Sequence, residues 1–176
     1  MDVSAENAGV FAQCGAALIA VGKPHDAIAR LEHALRSKPD LVEAQDNLAW
    51  VLATLPPADG GDPVRAVALA QRTCRPPNDC SAGYLDTLGV AYAAVGRFSD
   101  AVAAAQKAVK LARSAGQTNL VAEIGDRLQL YRSGRPTANP WPSNRFPRPV
   151  AHFGCAVGGT KNRLRQRHRR FPGGRG

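Results

Sequence analysis

A stretch of about twenty residues occurs twice in this chain with its glycines and alanines in the same places. Residues 14–34 read CGAALIAVGKPHDAIARLEHA, and residues 88–108 read LGVAYAAVGRFSDAVAAAQKA. In each copy a glycine, Gly22 or Gly96, separates two apolar helical runs and marks a helix end. Internal repetition of this kind predicts an array of similar units, each packed on its neighbours.

A weaker middle copy lies between these two. Ala49 follows Gly15 by 34 residues, and Gly89 follows Ala49 by 40 residues. The extra residues fall mostly in LPPADGGD, at 55–62. Small residues at these positions allow paired helices to approach closely, since side chains at the crossing point set the distance between the axes. The second helices carry Ala27, Ala66 and Ala101 for the same purpose.

This spacing resembles the tetratricopeptide repeat, a helix pair of roughly 34 residues. The third copy carries Leu85, Leu88, Gly89, Tyr92, Ala101 and Ala105, and the first carries Phe11, Cys14, Gly15, Leu18, Ala27, Leu31 and Pro39. Residues 40–136 are also similar to a C-terminal repeat module of long bacterial tetratricopeptide-repeat proteins. The resemblance implies an all-α fold, a right-handed superhelical α-solenoid of about three helix pairs plus a C-terminal capping helix. It implies a scaffold that binds protein partners, and we expect the chain to form one end of a longer array.

Apolar periodicity predicts seven helices. They lie at residues 5–21, 24–36, 41–54, 63–74, 82–95, 99–115 and 118–133. The first six form repeats near 8–41, 42–81 and 82–115, and the seventh caps a solenoid of residues 1–135. On the seventh helix we place Leu120, Ile124, Leu128 and Tyr131 on the packed face and Glu123, Asp126, Arg127 and Arg132 in solvent.

Several residues are expected to mark helix ends. Asp40 with Glu43 suits a capping box, and Asp62 and Ser99 are predicted to cap the helices that follow them. Gly22, Gly96 and Gly116 are expected to end helices.

The resemblance further implies a concave groove lined by the first helices of successive pairs. The residues predicted to face this groove are Glu43, Asp46, Asn47, Trp50 and Asp86. The family's clamp for a C-terminal carboxylate is not expected, because Ala12, Ala16, Gly83 and Thr87 stand at its other positions. An acidic groove with a tryptophan suits a basic or apolar segment. The alternative is that Trp50 is partly core and the acids form a solvated face.

The excess charge of the chain lies in its last part. The net charge is +9, yet residues 1–135 hold 14 basic and 14 acidic residues, and residues 136–176 hold nine basic residues and no acidic one. The proline- and glycine-rich tail, 136–176, is predicted to be disordered. Its arginines, interleaved with aromatic residues, suit RNA or another polyanion, and nucleic acid is expected to bind through the tail only. They are Arg163, Arg165, Arg167, Arg169 and Arg170.

Two other interpretations of the tail stay open. It is a basic segment that is merely solvated, or it is the product of a frame change in GC-rich DNA, which would explain the abrupt loss of the repeat pattern after Pro136.

No convergent set of acid, base and nucleophile is apparent, so we predict that the protein is not an enzyme and has no cofactor or metal site. His25 and His33 are interpreted as surface or helix-end residues. Cys74 and Cys80 are the only cysteines close in sequence, which leaves a bridge or a metal site as minor alternatives. Cys14 occupies an apolar repeat position and is expected in the core.

No stretch approaches the roughly 20 apolar residues that span a bilayer, and the N-terminus lacks an export signal. The sequence therefore predicts no membrane partner. Its few, scattered cysteines indicate a reduced, cytoplasmic location. Partner identity and oligomeric state are left open by the sequence.

Overall fold

The computed structural model describes residues 3–75 and 80–137, with side chains from residue 7 onward. Every regular element in these ranges is helical, which confirms the all-α class. The elements are α1 (Val3–Ala20), α2 (Pro24–Ser37), α3 (Val42–Thr54), a 3-10 turn (Pro57–Asp59), α4 (Pro63–Thr73), α5 (Ala82–Ala94), α6 (Phe98–Ser114) and α7 (Thr118–Arg132). Each α-helix begins and ends within two residues of its predicted bounds. Of the tail that the sequence predicts to be disordered, residues 138–176 lie outside the described residues.

Each helix packs against the next one along the chain, from α1 on α2 to α6 on α7. Three of the connections have only three residues, at 21–23, 95–97 and 115–117. Such short connections between contacting helices reverse the chain, so these neighbours are antiparallel. The odd-numbered helices also contact each other in the order α1, α3, α5 and α7. Within the described residues they form one layer, and α2, α4 and α6 pack on it.

The three short connections share one backbone conformation. Gly22, Gly96 and Gly116 have φ angles of 72°, 77° and 68°, in the left-handed region that side chains with a Cβ rarely adopt. At the first of these turns the Lys23 amide donates to the Leu18 carbonyl over 2.9 Å. This pattern satisfies carbonyls at the end of a helix. The prediction that helices end at these glycines is confirmed.

The predicted N-terminal caps have a mixed outcome. Asp62 caps α4 by accepting a hydrogen bond of 2.9 Å from the Arg65 amide. Ser99 does not cap α6, because that helix begins one residue earlier, at Phe98. The capping box of Asp40 is also wrong, because Leu41 takes the cap position of α3 and no side chain caps that helix.

Small residues bring the paired helices together as predicted. A Cβ atom added to Gly15 of α1 would lie 2.6 Å from Cγ of Leu31 on α2, well inside contact distance. At Gly89 of α5 it would lie 3.4 Å from the carbonyl oxygen of Ala101 on α6. The alanines predicted at other helix crossings, Ala27, Ala49, Ala66 and Ala101, are fully buried. Helix crowding therefore accounts for the small residues of the repeated stretch.

Two placements on helix faces are wrong. Arg127 of α7, predicted in solvent, is 6% exposed and lies inward with Ile124 and Tyr131. Cys14 of α1, predicted in the core, is exposed, because no described element packs on that side of α1. Arg127 lies inward because it pairs with Asp86 on α5.

Candidate functional site

A cleft of about 350 Å³ opens in the layer of odd-numbered helices, between α1, α3 and α5. It is lined by Gly9, Ala12, Gln13 and Ala16 of α1, by Leu41, Glu43, Asp46 and Asn47 at the start of α3, and by Tyr84 of α5. Three of the four α1 lining residues are small, and the fourth is Gln13. The cleft thus combines a wall of mostly small residues with a polar wall.

The polar wall of the cleft is negative. Glu43 is exposed at the rim, whereas Asp46 is only 3% exposed. Burial raises the pKa of Tyr84 above 10.0, and the charges of Glu43 and Asp46 raise it further. The described lining residues include no lysine, arginine or histidine. Both carboxylates therefore act on the same side of the cleft, beside an aromatic ring.

The structure brings together three of the five residues predicted to face the groove. Glu43, Asp46 and Asn47 line the cleft, but Trp50 and Asp86 do not. Trp50 is 8% exposed and Asp86 is fully buried, so the prediction that these two face a groove is wrong. The reason is that Arg127 of α7 lies against both side chains. Sequence reasoning missed Tyr84, whose aromatic side chain near the start of α5 was its only signal.

A buried ion pair holds α7 to α5. Arg127 donates from Nε to Asp86 Oδ1 over 2.9 Å and from its terminal nitrogen to Oδ2 over 2.7 Å. The two side chains are 7% and 1% exposed. The guanidinium also lies 5.5 Å from the centre of the Trp50 ring and 3.7 Å from Glu123. Two parallel hydrogen bonds offset the large desolvation cost of such a pair.

Sequence reasoning missed Arg127 because helical periodicity alone assigns a charged residue to the solvent face. The available signal was Asp86, which stands in the otherwise uncharged segment SAGYLDTLGVAYAA, residues 81–94. A carboxylate that a buried helix cannot expose needs a cation from elsewhere in the fold. Trp50 belongs to the same buried group, so it has a structural role.

The remaining candidate groups are the cysteines and histidines. Cys74 and Cys80, for which bridge and metal were left open, are joined by a disulfide at the end of α4. His25 and His33 are both exposed, and the His33 ring lies 4.0 Å from that of Phe11. No three His, Cys, Asp or Glu side chains of residues 3–75 and 80–137 converge as a metal site.

The predicted polyanion-binding arginines, Arg163, Arg165, Arg167, Arg169 and Arg170, lie outside the described residues. Among the helices that the structure describes, none has the length and apolar character needed to cross a bilayer. Comparisons of the chain with models of protein families, with curated proteins and with solved structures found no match. The case for a function therefore depends on the geometry of the cleft.

Proposed function

We propose that the protein is a non-catalytic interaction scaffold of the tetratricopeptide type. It binds a basic or apolar segment of a partner protein in the cleft between α1, α3 and α5. The observation that carries this proposal is the lining of the cleft, where two carboxylates and a tyrosine stand opposite mostly small residues of α1, and none of the described lining residues is a cation. The antiparallel packing of neighbouring helices and the continuous layer of odd-numbered helices support the solenoid part of the proposal.

The cleft offers three kinds of contact to such a segment. The exposed carboxylate of Glu43 attracts an incoming lysine or arginine and forms a charge-assisted hydrogen bond with it. The half-buried ring of Tyr84 offers a face for cation–π contact. The amide of Asn47 both donates and accepts, which suits the backbone of an extended peptide. The wall of Ala12 and Ala16 leaves room for apolar side chains.

Charge reversal at the rim tests this proposal. In the full chain, Glu43→Lys replaces attraction by repulsion at an exposed position, so the fold is retained. We expect it to weaken binding of a fluorescent arginine–alanine peptide by about tenfold or more, measured by anisotropy, since each lost ionic hydrogen bond is worth about 1.5–3 kcal/mol. Asp46→Asn serves as the second variant, because reversal of a buried charge would disturb the helix.

Asp126→Lys is the matched control. Asp126 is also an exposed acid on a helix, but it lies on α7, away from the cleft. Asp126→Lys changes the net charge by the same amount as Glu43→Lys, so a general charge effect would weaken binding equally in both variants. Equal affinities of the wild-type and Glu43→Lys chains would contradict the proposed site.

The cytoplasmic location stays a prediction, and the disulfide weighs against it. Bridges such as Cys74–Cys80 persist mainly in oxidising compartments. Trapping cellular thiols with an alkylating reagent, followed by mass spectrometry, measures the state of both cysteines. Alkylated Cys74 and Cys80 are expected for a cytoplasmic protein, and a protected pair would place the chain in an oxidising compartment.

A further inference from the structure

We infer that the protein forms a two-fold dimer through one side of α1, which a second copy of the chain covers. This side is an apolar stripe that runs along α1 and into the turn after it. Its members are spaced four, three and four residues apart, which places them on one face of a helix. They are Val10, Cys14, Ala17 and Val21. None of them lines the cleft, so the inference goes beyond the proposed function and does not depend on it.

All four residues of the stripe are exposed. Val10 is 55% exposed and Val21 is 67% exposed. Cys14 and Ala17, which lie between them, are exposed as well. From residue 7 to its end α1 has no charged residue, so the stripe belongs to an uncharged helix. A helix that is apolar all round is normally buried, and a continuous exposed apolar patch marks an interaction surface.

The internal repeat shows that the corresponding positions of the other helix pairs are covered. The residues 34 positions after the stripe are Ala44, Leu48, Val51 and Leu55, and all four are buried. They belong to α3 and its C-terminal end, and the preceding pair, α1 and α2, packs on that helix. On α5, Leu88 and Ala91 correspond to Cys14 and Ala17 and are buried too, where α3 and α4 pack on it. The stripe of α1 thus has the residues of a covered face, but no described helix covers it.

The other helix surfaces of the described chain select a second copy of α1 as the occupant. An uncharged helix face is best covered by another one, because a charged group brought against it would lose its water. Among the described residues, α2, α3, α4, α6 and α7 each expose a charged side chain, and α5 has no exposed residue. The exposed Asp126 and Arg132 of α7 argue against a head-to-tail contact between α7 and α1. Two-fold symmetry instead sets the uncharged stripe against its own copy, with no like charges opposed.

The stripe has polar residues at its edge. The ring of Phe11, the neighbour of Val10, lies 4.0 Å from the ring of His33 on α2, measured between ring centres. The Arg30 guanidinium lies 5.9 Å from the centre of the Phe11 ring. Both His33 and Arg30 are exposed. An apolar centre with a polar rim is the usual arrangement of a protein interface.

The size of this surface predicts a weak dimer. Helix α1 is about 27 Å long, and two helices side by side are about 20 Å wide. Contact over this area buries on the order of 1,000 Å² in total, at the low end of specific interfaces. We therefore expect a dissociation constant in the micromolar range.

Sedimentation velocity of the full chain at a series of concentrations tests the dimer. Ala17→Arg, in the middle of the stripe, opposes two like charges across the symmetry axis and should weaken dimerisation by about tenfold or more. Ala122→Arg is the matched control, because Ala122 is an exposed alanine on α7 and the substitution adds the same charge. It should dimerise as the wild type does, and circular dichroism verifies that both variants are folded. A wild-type chain that stays monomeric well above the micromolar range would overturn the inference. So would equal dimerisation of Ala17→Arg and the wild type, or species larger than a dimer that grow with concentration.

Cross-linking of thiols identifies what covers the stripe. Cys14 is the free cysteine of the described residues, and Cys155 is the one cysteine outside them. A short bismaleimide should join the Cys14 thiols of two copies, and mixed isotope-labelled and unlabelled chains should give the mixed product in mass spectrometry. Cys14→Ser should abolish this product, and Ala17→Arg should reduce it. Absence of the product would overturn the inference. A product that joins Cys14 to Cys155 within one chain would also overturn it, and would assign the stripe to the tail.

Discussion

Two aspartates occupy corresponding places in the layer of odd-numbered helices and have different surroundings. Asp46 on α3 and Asp86 on α5 are 40 residues apart, and each stands three residues before a small residue, Ala49 or Gly89. Both are almost fully buried. Asp86 receives two hydrogen bonds from Arg127, whereas Asp46 lines a cleft beside Glu43. The two aspartates therefore differ in their surroundings: Asp86 joins α5 to α7, and Asp46 lies in the wall of the cleft between α1, α3 and α5.

The difference lies in what the next odd-numbered helix supplies. Arg127 follows Asp86 by 41 residues, and the residue 41 positions after Asp46 is Thr87. The hydroxyl of Thr87 donates to the Gly83 carbonyl of its own helix over 3.3 Å. Helix α5 thus brings a tyrosine, but no cation, to the cleft. The pair of Asp86 and Arg127 shows how an arginine contacts a carboxylate at the corresponding position of α5.

Removal of the arginine from the buried pair should cause the largest loss of stability. Arg127→Ala leaves Asp86 buried without its cation, which costs about 3–5 kcal/mol of the free energy of unfolding. That is a large part of the roughly 5–15 kcal/mol that stabilises a domain. Urea unfolding followed by circular dichroism measures the loss.

The matched control removes both charges together. In Asp86→Leu with Arg127→Met, apolar side chains of similar length fill the space, and no charge is left buried. We expect this double variant to recover most of the stability lost in Arg127→Ala, because paired burial often costs as much as it returns. A loss below about 1 kcal/mol in Arg127→Ala would show that the pair behaves as a surface ion pair and would remove the contrast with Asp46.

A smaller loss of stability is expected from Gly15→Ala, at the contact between α1 and α2. Gly15→Ala forces a methyl group against Leu31, which should lower the free energy of unfolding by about 1–3 kcal/mol. The better helix propensity of alanine offsets about 1 kcal/mol of that loss. Gly125→Ala on α7 is the control, since an added Cβ there has no neighbour within 4 Å. It should stabilise the fold by about 0.5–1 kcal/mol. Equal shifts of the urea midpoint in both variants would contradict the tight contact between α1 and α2.

The helices were predictable because the signals that place them are local. Gly22, Gly96 and Gly116 end helices through their own backbone conformation, and Asp62 caps α4 through a residue three positions away. The contact at Gly15 was predictable because the repeat indicates which residues cross. Local pattern and local chemistry thus sufficed for the elements and for most of the core.

The site was only half predictable because it depends on contacts across the fold. Glu43, Asp46 and Asn47, predicted to face a groove from the repeat resemblance, line the cleft, whereas Trp50 and Asp86, predicted to face the same groove, are buried. Their burial depends on Arg127, which follows Asp86 by 41 residues, and no periodicity within α3 or α5 contains that information. Charge pairing between helices is therefore the information that the sequence pattern lacks.

Each aspartate has a tyrosine nearby, Tyr131 beside Asp86 and Tyr84 beside Asp46, and these tyrosines allow the two regions to be compared at alkaline pH. Burial, the largest cause, raises the pKa of Tyr131 well above 10.0; the Thr137 hydrogen bond lowers it, Asp86 raises it and Arg127 lowers it. A raised pKa means that the folded state favours the neutral phenol. This contribution is fully present below about pH 10 and is lost as the pH rises through the folded-state pKa. We expect stability to fall above pH 10 in the wild type and to fall less steeply in Tyr131→Phe, in urea unfolding at a series of pH values. An unchanged slope in Tyr131→Phe would contradict the burial of this hydroxyl.

The smallest expected effect concerns Tyr84, which reports the charge of the cleft itself. Burial is the main cause that raises the pKa of Tyr84, and Glu43 and Asp46 add to it. Glu43→Gln removes one negative charge and should therefore lower the pKa of Tyr84 toward 10.0, read from the ultraviolet absorbance of tyrosinate and assigned with Tyr84→Phe. Asp126→Asn removes the same charge at a distance and should leave it unchanged. If both variants lowered the pKa of Tyr84 equally, the effect would belong to the net charge of the molecule. If only Glu43→Gln lowers the pKa of Tyr84, the negative field belongs to the cleft itself. That field is what a basic ligand would recognise, and it contrasts with the surroundings of Asp86, where Arg127 balances the charge.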